Sequence, residues 1–138
     1  MTPWVALLAV DDDRDRYAEL ARRLAPHRVA VLVMHEVARV ERRLSTASTA
    51  LPLVGIFLDR DMPERVGEDW VPHLPVELPV CVSSANRVMA RVVAARLRGR
   101  GIHHVVMSAL DASPEWPWMG WALDVVGRHR LAAAQAPR

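Results

Sequence analysis

The sequence predicts an α/β fold in which five parallel strands form one sheet, wrapped on both faces by helices. Three observations predict it. Strand-like apolar runs alternate with helical stretches five times along the chain. The valine-rich run over 29–34 is continuously apolar, which reads as a strand buried on both faces. Two other runs stop abruptly in carboxylates: residues 5–10 lead into Asp11-Asp12-Asp13, and residues 53–58 lead into Asp59-Arg60-Asp61 with Pro63 just beyond. Buried strands end this way when they deliver acidic groups to the rim of a sheet.

The elements follow in order. The first strand spans about 4–10. Asp13 is placed to cap the next helix, because its side chain can accept from the free amides of the first turn. In that helix Tyr17, Leu20, Ala21 and Leu24 have the spacing of one buried face, Glu19 and Arg23 form an i, i+4 pair, and Pro26 ends it. A second strand over 29–34 precedes a helix carrying Val37, Val40 and Leu44 on one side. Residues 45–50 are small and polar and read as a loop. After the third strand, the segment 62–79 contains four prolines and has room for a short helix near 68–74. The fourth strand centres on Val80-Cys81-Val82 and closes in Ser83-Ser84. The longest helix is expected over 87–98, with Val88, Met89, Val92, Val93 and Leu97 facing inward and Arg87, Arg91 and Arg98 outward. Gly99 and Gly101 end it. The fifth strand covers 102–107. Ser113-Pro114 has the form of a helix start, and the last helix should run to about residue 131 with a frayed tail.

Composition narrows the function classes. A length of 138 residues suits a single domain over 1–138. The formal net charge of +2 does not demand a nucleic-acid partner, and all 18 basic residues are arginine. Without lysine, no chemistry here can use an ammonium side chain. Cys81 is the single cysteine, so no internal disulfide can form, and its apolar surroundings suit a buried thiol. With no basic leader and no apolar stretch long enough for a bilayer, the expected location is the cytoplasm, away from membranes.

In a parallel sheet of this kind, ligands sit beyond the carboxyl ends of the strands, where strand order reverses. The acidic ends of strands one and three and the serines of strand four would meet there. A dense carboxylate cluster repels itself unless a cation or a proton joins it. Asp11, Asp12 and Asp59 are therefore the candidate ligands of a hard divalent ion, Mg2+ or Mn2+ in its place, with Asp61 adding its carboxylate or its carbonyl. Ser83 or Ser84, and Asn86 at the next helix start, could hydrogen-bond a phosphoryl oxygen.

Val10-Asp11-Asp12 and Asp59-Arg60-Asp61-Met62-Pro63 resemble the signature of response-regulator receiver domains, as does the Ser84-Ala85 pair after strand four. The resemblance covers roughly 4–131. It implies a flavodoxin-like arrangement of five βα units, with Asp59 accepting a phosphoryl group and Asp11 and Asp12 holding Mg2+ together with the Asp61 backbone. The lysine that receivers carry at the end of strand five is missing, and the sequence there reads Val106-Met107-Ser108-Ala109-Leu110. Asp59-Arg60-Asp61-Met62, Gly67-Glu68-Asp69 and Ser84-Ala85-Asn86 are also similar to motifs of a receiver-like family that processes cyclic phosphates, with Arg60 where that family has histidine.

The resemblance implies two functions. The first is Mg2+-dependent phosphoester processing, with hydrolysis of a cyclic phosphate on a small molecule or an RNA end. Asp59 or Asp61 would then take the proton from water, and Ser84, Asn86 and Arg60 or Arg87 would meet the developing charge. The second is a degenerate stand-alone receiver that acts as a signalling or protein-binding module, with weak or no phosphorylation at Asp59. His103-His104 points its two rings to opposite faces of a strand, which argues against a shared metal. Trp118 and Trp121 share a helical face and Trp116 does not. Packing on the sheet accounts for at least one of them, and an exposed remainder would suit a homodimer surface.

Overall fold

The computed structural model describes residues 2–46, 50–62, 65–108 and 117–137. Its elements are β1 (Val5–Val10), α1 (Asp15–Leu24), β2 (Val29–Met34), α2 (Val37–Ser45), β3 (Leu53–Asp59), α3 (Gly67–Trp70), β4 (Val80–Ser84), α4 (Arg87–Gly99), β5 (His104–Ser108) and α5 (Trp118–Gln135). The five strands form one parallel sheet in the order β2-β1-β3-β4-β5. The chain leaves β1 for β2 on one side and then returns to build β3, β4 and β5 on the other. The order thus reverses between β1 and β3, and this opens a crevice at their carboxyl ends.

Side chains alternate across the sheet with the two-residue period of a strand. Leu7, Ala9 and Phe57 face one layer, where α1 and α5 contribute Tyr17, Leu20, Trp118 and Val125. Leu8, Val10, Ile56 and Leu58 face the other, with Val40 of α2, Trp70 of α3, and Val93 and Leu97 of α4. At Gly55 an added Cβ would stand 3.1 Å from both Leu7 and Val125 and 3.2 Å from Trp121, so the missing side chain lets α5 lie close on β3. Gly101 turns the chain after α4 with a φ of 72°, a conformation that glycine adopts without strain.

Several expectations need correction. The 29–34 strand is only half-buried after Val29, because it lies at the edge of the sheet and has a neighbour on one side alone. The fifth strand is the other edge; it starts at His104, and Val105 and Val106 are exposed. On α4 the buried line is Ala90, Val93, Ala94 and Leu97, while Val88 is 67% exposed. Val93 and Leu97 thus face inward as expected, joined by the small Ala90 and Ala94, which bring the helix close to the sheet. The short helix expected at 68–74 is one turn of α-helix over Gly67–Trp70 followed by a 3-10 turn over Val71–His73. The last helix extends to Gln135, and its final residues are helical but exposed. The Ser113-Pro114 helix start, Trp116 and Pro63 lie outside the described residues.

Candidate functional site

Strand register assembles the site. Val10 pairs with Leu58, so Asp11 and Asp59 emerge side by side at the carboxyl ends of β1 and β3. Asp59 pairs in turn with Ser83, and Ser84 with Ser108. Carboxylate oxygens from Asp11, Asp12 and Asp59 lie within 4.8 Å of one another. Asp11 is fully buried, Asp59 is 6% exposed, and Asp12 faces solvent.

Each carboxylate is held differently. Asp11 Oδ1 accepts from the Asp13 N–H at 2.9 Å, and its Oδ2 accepts from the Tyr17 hydroxyl at 2.8 Å and from Arg16 Nη1 at 3.2 Å. Asp59 Oδ1 accepts from the Asp61 N–H at 3.0 Å, and no hydrogen bond to a described residue reaches Asp59 Oδ2. Asp12 makes neither a hydrogen bond nor an ion pair with the described residues. Asp13 Oδ1 accepts from the Arg16 N–H in the first turn of α1 at 3.3 Å, as expected of a cap, although the N-cap position itself is Arg14.

Burial dominates the electrostatics and works against charge. It pushes Asp59 up to about 6, helped by the neighbouring charge of Asp11 and opposed by the Asp61 N–H and by Arg16. Asp11 is also raised by burial, against the pull of the Asp13 amide, the Tyr17 hydroxyl and Arg16. Burial and the adjacent Asp11 push the Tyr17 phenol far up, so it remains a proton donor. A crowded, partly dry set of carboxylates, with the proton affinity of Asp11 and Asp59 raised, is chemically suited to a small hard cation.

The other sequence candidates lie beside this trio and have local partners. The Asp61 carboxylate accepts from Ser84 Oγ at 3.2 Å and from the Ala85 N–H at 3.1 Å. Ser84 Oγ accepts from the Asn86 N–H at 3.1 Å, and Asn86 Oδ1 caps α4 by accepting from Val88 and Met89 at 3.0 and 3.3 Å. The β3–α3 loop is thereby tied to the start of α4. Arg60 Nη2 donates to Glu68 Oε2 at 3.1 Å, and Arg60 Nη1 lies 3.5 Å from Asp61 Oδ1. Gly67 lies against Arg60: its N–H donates to the Arg60 carbonyl at 3.0 Å, and a Cβ would come within 3.0 Å of Arg60 Cα. The Gly67-Glu68 pair thus has a packing reason of its own. Arg87 lines a cavity of about 520 Å3 with Ser84, Arg91 and Ser108.

Sequence reasoning placed Tyr17 in the core and gave Arg16 no role, yet both hold Asp11. Their signal was the helix phase, since the first turn of α1 begins four residues after Asp11. Tyr17 also stacks on Trp118 at 4.9 Å, and Trp118 on Phe57 at 5.1 Å. Trp118 is buried and Trp121 half-buried against the sheet. A cavity of about 850 Å3 lies at the opposite end of the sheet beside His103 and His104, with none of the three carboxylates in its wall.

No protein-family model matches the chain, and no curated protein does. Solved structures do. The chain is similar to the signal receiver domain of a protein described as a LuxO repressor from Vibrio parahaemolyticus, with a TM-score of 0.65 and 12% identity over 99% of this chain and 100% of that one. It is also similar to the beryllofluoride-activated NtrC receiver domain, with a TM-score of 0.50 and 19% identity over 77% of this chain and 83% of that one. Neither likeness supports the cyclic-phosphate-processing family. At these identities what is shared is architecture: the chain has the five-stranded parallel fold of signal receiver domains.

Proposed function

We propose that this is a receiver-like signalling domain that binds Mg2+ through Asp11, Asp12 and Asp59 and takes a phosphoryl group at Asp59. One observation carries the reading: three carboxylates separated in sequence converge at the topological switch point, and the buried one at the end of β3 keeps an oxygen with no hydrogen-bond partner among the described residues. A bound Mg2+ supplies charge neutralisation for carboxylate and phosphoryl oxygens brought together. The chain's own residues supply the rest. The Asp61 N–H holds the Asp59 carboxylate through Oδ1, which leaves Oδ2 to attack phosphorus. At neutral pH Asp59 is mostly ionised, as a nucleophile must be. With a small donor such as acetyl phosphate, an Asp59 oxygen forms the new bond to phosphorus and acetate leaves with the bonding pair.

The hydrolase reading has less support in the geometry. Ser84, Asn86 and Arg60, the groups that would meet transition-state charge, are bonded to Asp61, the α4 amides and Glu68. The test is incubation with Mg2+ and acetyl phosphate, followed by intact-mass measurement. The expected result is one added phosphoryl group, dependent on Mg2+ and absent in Asp59→Asn. No adduct on the wild type, or turnover of a cyclic nucleotide that survives in Asp59→Asn, would overturn this reading.

A further inference from the structure

We propose that Arg16 is a resident counter-cation of the carboxylate pocket, competing there with the divalent ion and so setting its affinity. This rests on the Mg2+ reading of Asp11, Asp12 and Asp59. The guanidinium occupies an unusual position. Arg16 lies in the first turn of α1, where the helix dipole disfavours positive charge. Its charge is therefore held by carboxylates: Nη1 is 3.2 Å from Asp11 Oδ2 and Nε is 3.8 Å from Asp13 Oδ2. Asp11 is fully buried, whereas the Arg16 side chain is 27% exposed and can swing toward water.

The competition has a charge component and a ligand component. Arg16 lowers the negative charge that a divalent ion would meet at the trio. Its bond also takes up one of the acceptor positions of Asp11 Oδ2, which already receives the Tyr17 hydroxyl at 2.8 Å. With the Asp13 N–H on Oδ1, three donors satisfy Asp11 before any metal arrives. Removing the guanidinium raises the local field and frees an acceptor position, so both effects tighten metal binding. A charge at this distance in a half-buried pocket suffices for a change of roughly tenfold or more.

Calorimetric titration of metal-free protein with MgCl2 and MnCl2 tests this on the wild type and on Arg16→Gln, Arg16→Met and Arg16→Lys. Circular dichroism establishes that each variant is folded. The expected result is that Arg16→Gln and Arg16→Met bind at least roughly tenfold more tightly, while Arg16→Lys, which retains the charge, stays near the wild type. If the wild type binds metal and the two neutral variants bind no more tightly, the inference is overturned while the Mg2+ reading stands. If Arg16→Lys matches Arg16→Gln, charge is not the cause and the inference is again overturned. If neither the wild type nor the neutral variants take up metal, the Mg2+ reading falls and takes this inference with it.

Discussion

Replacing Asp59 by asparagine should stabilise the metal-free protein, and by an amount that depends on pH. Burial raises Asp59 from 3.8 to about 6 in the folded state. A carboxyl raised on folding binds its proton more tightly in the native chain than in the unfolded one. Stability is then lost as pH climbs from the unfolded value to the folded one, and the loss is complete above about 6. A shift of about two units at 1.36 kcal/mol each comes to about 3 kcal/mol. Asp11 is shifted in the same direction and adds to the wild-type loss. Asparagine keeps the carbonyl oxygen that accepts from the Asp61 N–H and cannot ionise. Urea denaturation in chelator should therefore show the two proteins closest near pH 4 and the variant ahead by about 3 kcal/mol near pH 7.5. Saturating Mg2+ should narrow the gap by stabilising the wild type alone. A stability difference that does not change across this window, or a variant less stable than the wild type at the higher pH, would refute the claim that Asp59 is held at an electrostatic disadvantage.

Three further outcomes are expected. Metal affinity measured by calorimetry should fall by up to roughly tenfold per pH unit below about pH 6, as protons compete for Asp59; an affinity independent of pH would remove Asp59 from the ligand set. Asn86→Ala removes the acceptor for the Val88 and Met89 amides and should lower stability by about 1 kcal/mol in denaturant titrations, whereas an unchanged midpoint would mean that water replaces the cap at no loss. Gly55→Ala forces a methyl against Leu7, Val125 and Trp121 and should lower stability by about 1–3 kcal/mol, with a neutral result showing that α5 lifts freely from β3.

The sheet was legible because its strands are continuous apolar runs, and the trio because carboxylates close two of them. Burial at the edges was not. The 29–34 run is as apolar as the central strands, and only the strand order β2-β1-β3-β4-β5 reveals that it has one neighbour. The inward face of α4 was right at Val93 and Leu97 but wrong at Val88, and it left out Ala90 and Ala94, because alanine adds little to an apolar pattern although small residues allow close approach. The partners of Asp61 lie 23 and 24 residues away, at a separation that no local motif encodes. Arg16 and Tyr17 escaped notice for a different reason. Adjacent on one helical turn, they are a charged and an apolar residue by type, and only the path of the chain after Asp11 brings both onto the same oxygen.

That shared oxygen has an optical consequence. Tyr17 gives its hydroxyl to Asp11 and its ring to Trp118, the first residue of α5, and Trp118 in turn lies on Phe57. A ligand that draws electron density from Asp11 must loosen the phenol, and a phenol that shifts disturbs the indole stacked upon it. Ultraviolet emission from the root of α5, one of five tryptophan contributions, should therefore change when the fully buried Asp11 carboxylate is engaged.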